Sequence, residues 1–181
     1  MSGKNGRFDR EYAYLCGRIV ARSIDPLVQK LAYAGSFRRL LPTLGDVDIL
    51  VIPKKGIPES QINAEFARVC ISKKLESFGS GLSIGLVCPE SESDAVPINL
   101  FFTTEYEWGA ALIYSTGSRD YNIGYRSFAK KHYGLTVNQY GVFCKGKPIP
   151  DSGYSERAVC RAIHIPWIAP QDRIDRRVFP R

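Results

Sequence analysis

The stretch Gly45-Asp46-Val47-Asp48-Ile49-Leu50-Val51 decides how this chain is read. Asp46 to Ile52 has the make-up of a β-strand, with β-branched residues at nearly every other place. Side chains alternate faces along a strand, so Val47, Ile49 and Val51 point one way into a core, and Asp46 and Asp48 share the other side. Two carboxylates side by side repel one another and are costly to hold there unless a cation lies between them. Mg²⁺ together with phosphate oxygens is the natural occupant, because it takes hard oxygen ligands and uses one or two carboxylates plus substrate. An Asp-x-Asp pair by itself more often marks the solvent face of a strand.

What lies ten residues upstream changes that reading. Ala34-Gly35-Ser36-Phe37-Arg38-Arg39 places a turn at Gly35-Ser36, with Ser36 the expected N-cap of a helical turn over Phe37-Arg38-Arg39. Backbone N–H groups and a hydroxyl at such a turn suit a triphosphate, and Arg39 can add a charge-assisted bond to the same phosphates. Together these residues make a metal–phosphate site.

Outward from this pair the chain alternates helix and strand. Tyr12, Leu15, Cys16, Ile19 and Val20 follow helical spacing, which predicts an amphipathic helix over 9–23. Asp25-Pro26 starts a short helical turn, and Leu31–Ala34 reads as a strand. Pro53 to Pro58 is loop, Ser60 to Phe78 is a helix, and Ile84–Cys88 and Val96–Phe102 are strands around the polar loop 89–94. In the second part Ala110–Tyr114 reads as a strand and 118–133 as a helix whose Tyr121, Tyr125 and Phe128 belong to a core. Leu135–Cys144 and Lys147–Pro150 are extended around a Lys145-Gly146 turn, Ser155-Glu156 opens a helix to about Ile163, and the Arg-rich tail from Arg173 is expected to fray. The fold class is α/β (α+β): a small mixed sheet with helices, followed by a smaller C-terminal α+β subdomain.

Composition narrows the function classes. The 181 residues suit one domain or two small subdomains, and 44% hydrophobic with 24% charged residues excludes intrinsic disorder. No run of 18 apolar residues exists, so no transmembrane helix and no membrane partner is expected, and the polar start lacks the core of a secretory signal. Five scattered Cys without a CxxC pair argue against a zinc site or a disulfide framework and for a reducing compartment, cytoplasmic or nuclear. His132 and His164 have no partner at metal-ligand spacing. The formal net charge of +7 favours a polyanionic partner without naming one.

The two motif blocks resemble the family X DNA polymerases of the nucleotidyltransferase superfamily. Gly35-Ser36 followed at fixed distance by Asp46-Val47-Asp48 resembles the palm. Tyr114-Ser115-Thr116-Gly117-Ser118, Tyr121-Asn122, Arg126, Val137-Asn138-Gln139-Tyr140, Gly146–Pro150, Ser155-Glu156-Arg157 and Ile165–Pro170 resemble the C-terminal segment of the same family. The likeness spans roughly residues 30–172. It implies a palm over 1–107 and a nucleotide- and template-binding subdomain over 108–181. It implies two Mg²⁺ ions, with Mn²⁺ as a substitute, held by Asp46, Asp48 and the residue at position 99.

By the same resemblance Gly35, Ser36, Arg39 and Gly45 hold the phosphates of a dNTP. Tyr114, Ser115, Gly117, Ser118 and Asn122 take its sugar and base, with the Gly117–Ser118 peptide in cis. Arg126, Lys130, Lys131, Asn138, Tyr140 and Lys145 contact gapped or primer-template DNA. Further basic residues, Lys54, Lys55, Arg119, Lys147 and the tail arginines, add to DNA affinity that falls steeply with salt. A monomer is expected.

Four departures matter. Asn99 stands where the family has a third Asp, which normally helps hold the catalytic metal and remove the primer 3′ proton; binding with weak or absent chemistry is expected. Sequence leaves open whether Asn99 is native or replaces an Asp, and the intact neighbouring motifs favour a replacement. Ser115 replaces an aromatic, which loosens discrimination against ribonucleotides. Phe101 and Gln139 replace an Arg and a Glu that relatives use in an open/closed switch. The 30 residues before Leu31 leave no room for a lyase domain, as in a minimal polymerase of viral or phage type. The expected activity is template-directed, short-gap DNA synthesis. The alternatives are a template-independent or ribonucleotide-tolerant transferase and a catalytically inactive DNA-binding homologue.

Overall fold

In the computed structural model the described residues are 2–3, 6–71, 76–77, 81–88, 94–175 and 179. They fall into two units, Met1–Thr103 and Thr104–Arg181. The division lies four residues before the expected one, because Thr104–Glu107 forms a turn, closed by Glu107 N–H to Thr104 C=O at 3.2 Å, that leads into the next helix.

The first unit runs β1 (Ser2–Gly3), β2 (Arg7–Asp9), α1 (Arg10–Ile24), a 3₁₀ turn (Asp25–Leu27), β3 (Val28–Tyr33), α2 (Gly35–Arg38), β4 (Thr43–Leu44), β5 (Val47–Pro53), α3 (Glu59–Val69), β6 (Glu76–Ser77), β7 (Leu82–Val87) and β8 (Val96–Phe102). Asp9 caps α1, its carboxylate accepting from the Glu11 N–H at 2.8 Å. The five-stranded sheet has the order β3-β5-β8-β7-β6, with β5 and β8 parallel and the other pairs antiparallel, so it is mixed. Parallel register sets Asp48 opposite Asn99. Val47, Ile49 and Val51 are fully buried, and with Ala13, Cys16, Val20 and Ile24 of α1 and Ile62 and Phe66 of α3 they form the core. β1, β2 and β4 make a separate small sheet that the sequence reading did not anticipate.

Two expectations fail in this unit. Ser36 is not an N-cap: α2 begins at Gly35, its N-cap is Ala34, and no side chain caps it. The helix expected over 60–78 ends at Val69, where Cys70 takes an extended backbone (φ −78, ψ 147), and Glu76–Ser77 is a strand paired with β7. Residues 72–75 and 78 of that expected helix, and 89–93 of the expected polar loop, lie outside the described residues.

The second unit contains α4 (Trp108–Thr116), α5 (Arg119–Tyr133), β9 (Leu135–Asn138), β10 (Gly141–Cys144), β11 (Lys147–Pro148), α6 (Glu156–Ala162) and a 3₁₀ turn (Pro170–Asp172). Ala110–Tyr114 is helix, not strand. A short apolar run has no period by which to tell the two apart. Here Trp108 to Ile113 are all buried around the helix circumference, and a Cβ on Gly109 would collide with the Ser155 backbone, so α4 is the unit's central helix. Ser118 caps α5 by accepting from the Tyr121 N–H at 3.2 Å, and Gly134, at φ 66, closes its other end in the left-handed region.

The expected extended run 135–144 is a hairpin, turned by Asn138, whose Oδ1 accepts from the Tyr140 N–H at 2.9 Å. Tyr121 and Tyr125 are fully buried in the core with Ile113, Val142, Val159 and Ile163. Arg173, expected in a frayed tail, is fully buried as well; Arg176, Arg177 and Arg181 lie outside the described residues. All five cysteines are free thiols. Among the described residues no helix is long and apolar enough to cross a membrane.

Candidate active site

In the first unit the sheet brings Asp46, Asp48 and Asn99 together at the start of β5 and within β8. The Asn99 amide nitrogen donates to Asp46 Oδ2 at 3.1 Å and to Asp48 Oδ1 at 2.9 Å. Beside them the Gly35 turn is fastened by the Ala34 N–H, which donates to the Asp48 carbonyl at 2.8 Å. Gly35 sits at φ +55 and is buried, and a Cβ there would run into the Asp48 carboxylate. This position therefore needs glycine on two counts, conformation and space. Arg39 ends the same turn, close enough to feel both carboxylates.

The electrostatics follow from this crowding. Burial, and then the neighbouring Asp46 charge, push the Asp48 carboxyl up to about 6, while the Asn99 hydrogen bond and Arg39 pull the other way. Burial lowers the pKa of Arg39, and the charges of Asp48 and Asp46 oppose that shift. Gly45 lies at a bend before Asp46, and a Cβ there would meet nothing within 4 Å. Among the described residues no group of three or more His, Cys, Asp or Glu is placed to hold a metal ion. Two carboxylates suit one divalent cation; the third member of the set is an amide whose donor end faces them.

Residues that the sequence reading passed over brace this site. The Arg10 guanidinium donates to the Phe37 carbonyl at 2.7 Å and lies 4.0 Å over the Phe37 ring. Phe37 in turn stacks on Tyr14 at 5.4 Å and meets Tyr33 at 5.0 Å. The turn carrying Ser36 and Arg39 is thus anchored through the residue between them. The hint was local: an aromatic inside an otherwise polar turn.

In the second unit Tyr114, Ser115, Gly117, Ser118 and Asn122 are neighbours at the α4–α5 junction. The Gly117–Ser118 peptide is cis, as the resemblance implied. Several of these groups are already engaged. Ser115 Oγ donates back to Ala111 C=O at 2.7 Å, and Ser118 Oγ donates to Ile174 C=O at 2.7 Å. Asn122 Nδ2 donates to Tyr114 C=O at 2.7 Å, which leaves Asn122 Oδ1 buried without a partner. The second N–H of that amide is not used by this bond.

Further along α5 a groove of about 580 Å³ is lined by Ile123, Arg126, Ser127, Lys130, Lys131, Leu135, Thr136 and Val137. Its three cations are exposed and its floor is apolar, which suits a sugar–phosphate backbone. Arg126 also lies 5.7 Å over the Tyr114 ring. Tyr140 and Lys145 are exposed at the hairpin turns and not among the groove residues, while Asn138 spends its oxygen on the turn.

Behind this surface is a buried ion pair. Arg173 donates to Glu156 at 2.7 Å and to Ile168 C=O at 2.9 Å, and Trp167 donates to Glu156 at 3.1 Å. The Arg173 carbonyl accepts from the Ser118 N–H at 3.2 Å, so the pair ties the chain's last described stretch to the cis turn. His132 packs against Phe128 and His164 against Tyr133.

No curated protein matches this chain. Residues 111–174, from within α4 to just past the last 3₁₀ turn, match the family model of the DNA polymerase beta thumb, so over its second unit this chain is similar to a family X polymerase.

Proposed function

We propose that the chain is a nucleotidyltransferase of the DNA polymerase type, which adds a nucleotide from a dNTP to a primer 3′ hydroxyl on gapped or primed template DNA. The observation that carries the reading is one pairing within the chain: thumb-like residues 111–174 follow a sheet whose inner strands β5 and β8 hold converging carboxylates against a Gly-Ser turn with an arginine. Asp46 and Asp48 would hold a divalent cation, Mg²⁺ or Mn²⁺, and their hard oxygens fit it. When bound, such an ion neutralises triphosphate charge and polarises the phosphorus centre under attack.

The chain's own groups do the remaining work. Arg39 offers a planar fork of donors to phosphate oxygens, and its partial burial strengthens such bonds. Gly35 lets the turn approach closely. Arg126, Lys130 and Lys131 take phosphodiester oxygens along the α5 groove, which gives affinity without sequence preference. Phosphoryl transfer asks mainly for positioning and charge stabilisation, which this set supplies. A second reading, DNA binding without chemistry, is favoured by the amide at position 99.

Primer extension by this chain and by Asn99→Asp separates the two. The Asp form should extend a templated primer about 10²-fold faster, the scale on which one reacting-centre contact acts. If neither form extends with Mg²⁺ or Mn²⁺, while both still bind primer-template, the polymerase reading falls and the binding reading stands. Extension without a template would move the activity to a template-independent transferase.

A further inference from the structure

We propose that the Asn99 amide is this chain's internal stand-in for a cation between Asp46 and Asp48, and that a divalent ion reaches both carboxylates only when that amide turns over. The proposal rests on reading the pair as the ion-binding part of a polymerase site. Ionised carboxylates only accept hydrogen bonds, whereas an amide carries donors on one side and an acceptor on the other. Asn99 presents its donors, at 3.1 Å to one carboxylate and 2.9 Å to the other. A cation needs the opposite face, the Oδ1, and a half-turn about the Cβ–Cγ bond exchanges the two.

The surroundings make some positive partner necessary. Asp48 cannot withdraw, because Gly35 is packed against its carboxylate and the Ala34 N–H holds its carbonyl. The Asn99 backbone is held beside the pair, because the β5–β8 register sets it opposite Asp48. The amide's donors, lying against both carboxylates, hold the pair together without an ion, with the Arg39 charge that both carboxylates feel beside them. Entry of an ion breaks both hydrogen bonds, so the free chain binds divalent ions weakly. The ion arrives with the triphosphate, whose oxygens make up the missing ligands. An Asp at 99 would reverse each point: repulsion in the metal-free chain, and tighter binding of the ion.

The test uses the full-length chain and Asn99→Asp, without DNA. Free Mn²⁺ is counted by electron paramagnetic resonance, and melting is followed at pH 7.5 in EDTA and in Mn²⁺. The expected result is at least tenfold tighter Mn²⁺ binding by Asn99→Asp, a melting midpoint several degrees below the parent in EDTA, and a larger rise on adding Mn²⁺. Equal Mn²⁺ affinities, or an Asp form as stable as the parent in EDTA, would overturn the proposal. If the Asp form fails to fold in both conditions, the parent chain decides. Its Asn99 side-chain amide signal should shift when Mg²⁺ and a non-hydrolysable dNTP analogue bind together, and an unmoved signal at saturation overturns the idea. These readouts are independent of turnover. A tenfold affinity ratio in a chain that never extends a primer defeats only the polymerase reading, and equal affinities in an active polymerase defeat only the stand-in.

Discussion

The two units handle charge in opposite ways. The first has 13 Lys and Arg against 11 Asp and Glu, the second 12 against 7. In the first, like charges are brought together on purpose: Asp46 and Asp48 converge and are bridged by a neutral amide. In the second, the buried charges are matched inside the fold, Arg173 to Glu156, and the surplus cations stand exposed along α5. One unit thus carries a converging carboxylate pair with an amide between them. The other carries exposed cations over an interior that holds the Arg173–Glu156 ion pair.

The sharpest way to break this contrast is to unpair the second unit's interior. Arg173→Met should destabilise the chain by about 3–5 kcal/mol in urea unfolding, because it leaves the Glu156 carboxylate buried without its partner. Adding Glu156→Leu should recover most of that loss. If the double variant is no better than the single one, the pair is not what organises this unit.

The first unit should show the reverse dependence, through pH. The Asp48 carboxyl is raised to about 6 in the folded chain against 3.8 in the free group, so the folded state holds a proton more tightly than the unfolded state. Stability is therefore greatest below about pH 4 as far as this group is concerned, and it falls as pH rises through about 6. The loss should be about 2 kcal/mol, read from unfolding midpoints between pH 4 and 7 without metal. Asp48→Asn should flatten that slope. A slope of the opposite sign would mean that Asp48 is stabilised as the anion even without an ion.

A smaller effect probes the cis turn. Ser118→Ala removes the cap of α5 and the bond to Ile174, and should cost about 1 kcal/mol in the same unfolding experiment. The smallest expected effect concerns the exposed cations. Lys130→Ala and Lys131→Ala should each reduce the slope of log affinity for primer-template DNA against log salt by about 1, measured by fluorescence anisotropy, with no change in unfolding. Unchanged slopes would remove these lysines from the phosphate surface.

Much of this was legible in the residues, for reasons that can be named. The alternation from Asp46 to Ile52 carries strand, face and core in one pattern, and the structure buries Val47, Ile49 and Val51 as that pattern requires. Helices with a polar side, α1 and α5, were readable from their spacing to within a residue or two. Gly35, Arg39, Asp46, Asp48 and Asn99 stood out as one group before any of them could be seen to meet.

Tertiary structure decided the rest. Ala110–Ile113 is a helical run buried on all sides, and a run without a polar face carries no period to read. Arg173 is internal because Glu156, 17 residues before it in the chain, is there to pair with, although an Arg-rich tail looks solvated by composition. Position 99 shows the limit most clearly. Sequence says that an amide stands where a carboxylate was expected. Only the parallel pairing of β5 with β8 brings it beside Asp46 and Asp48, because its partners are set by register across some fifty residues of chain, and the two carboxylates, as acceptors, then draw its donor end.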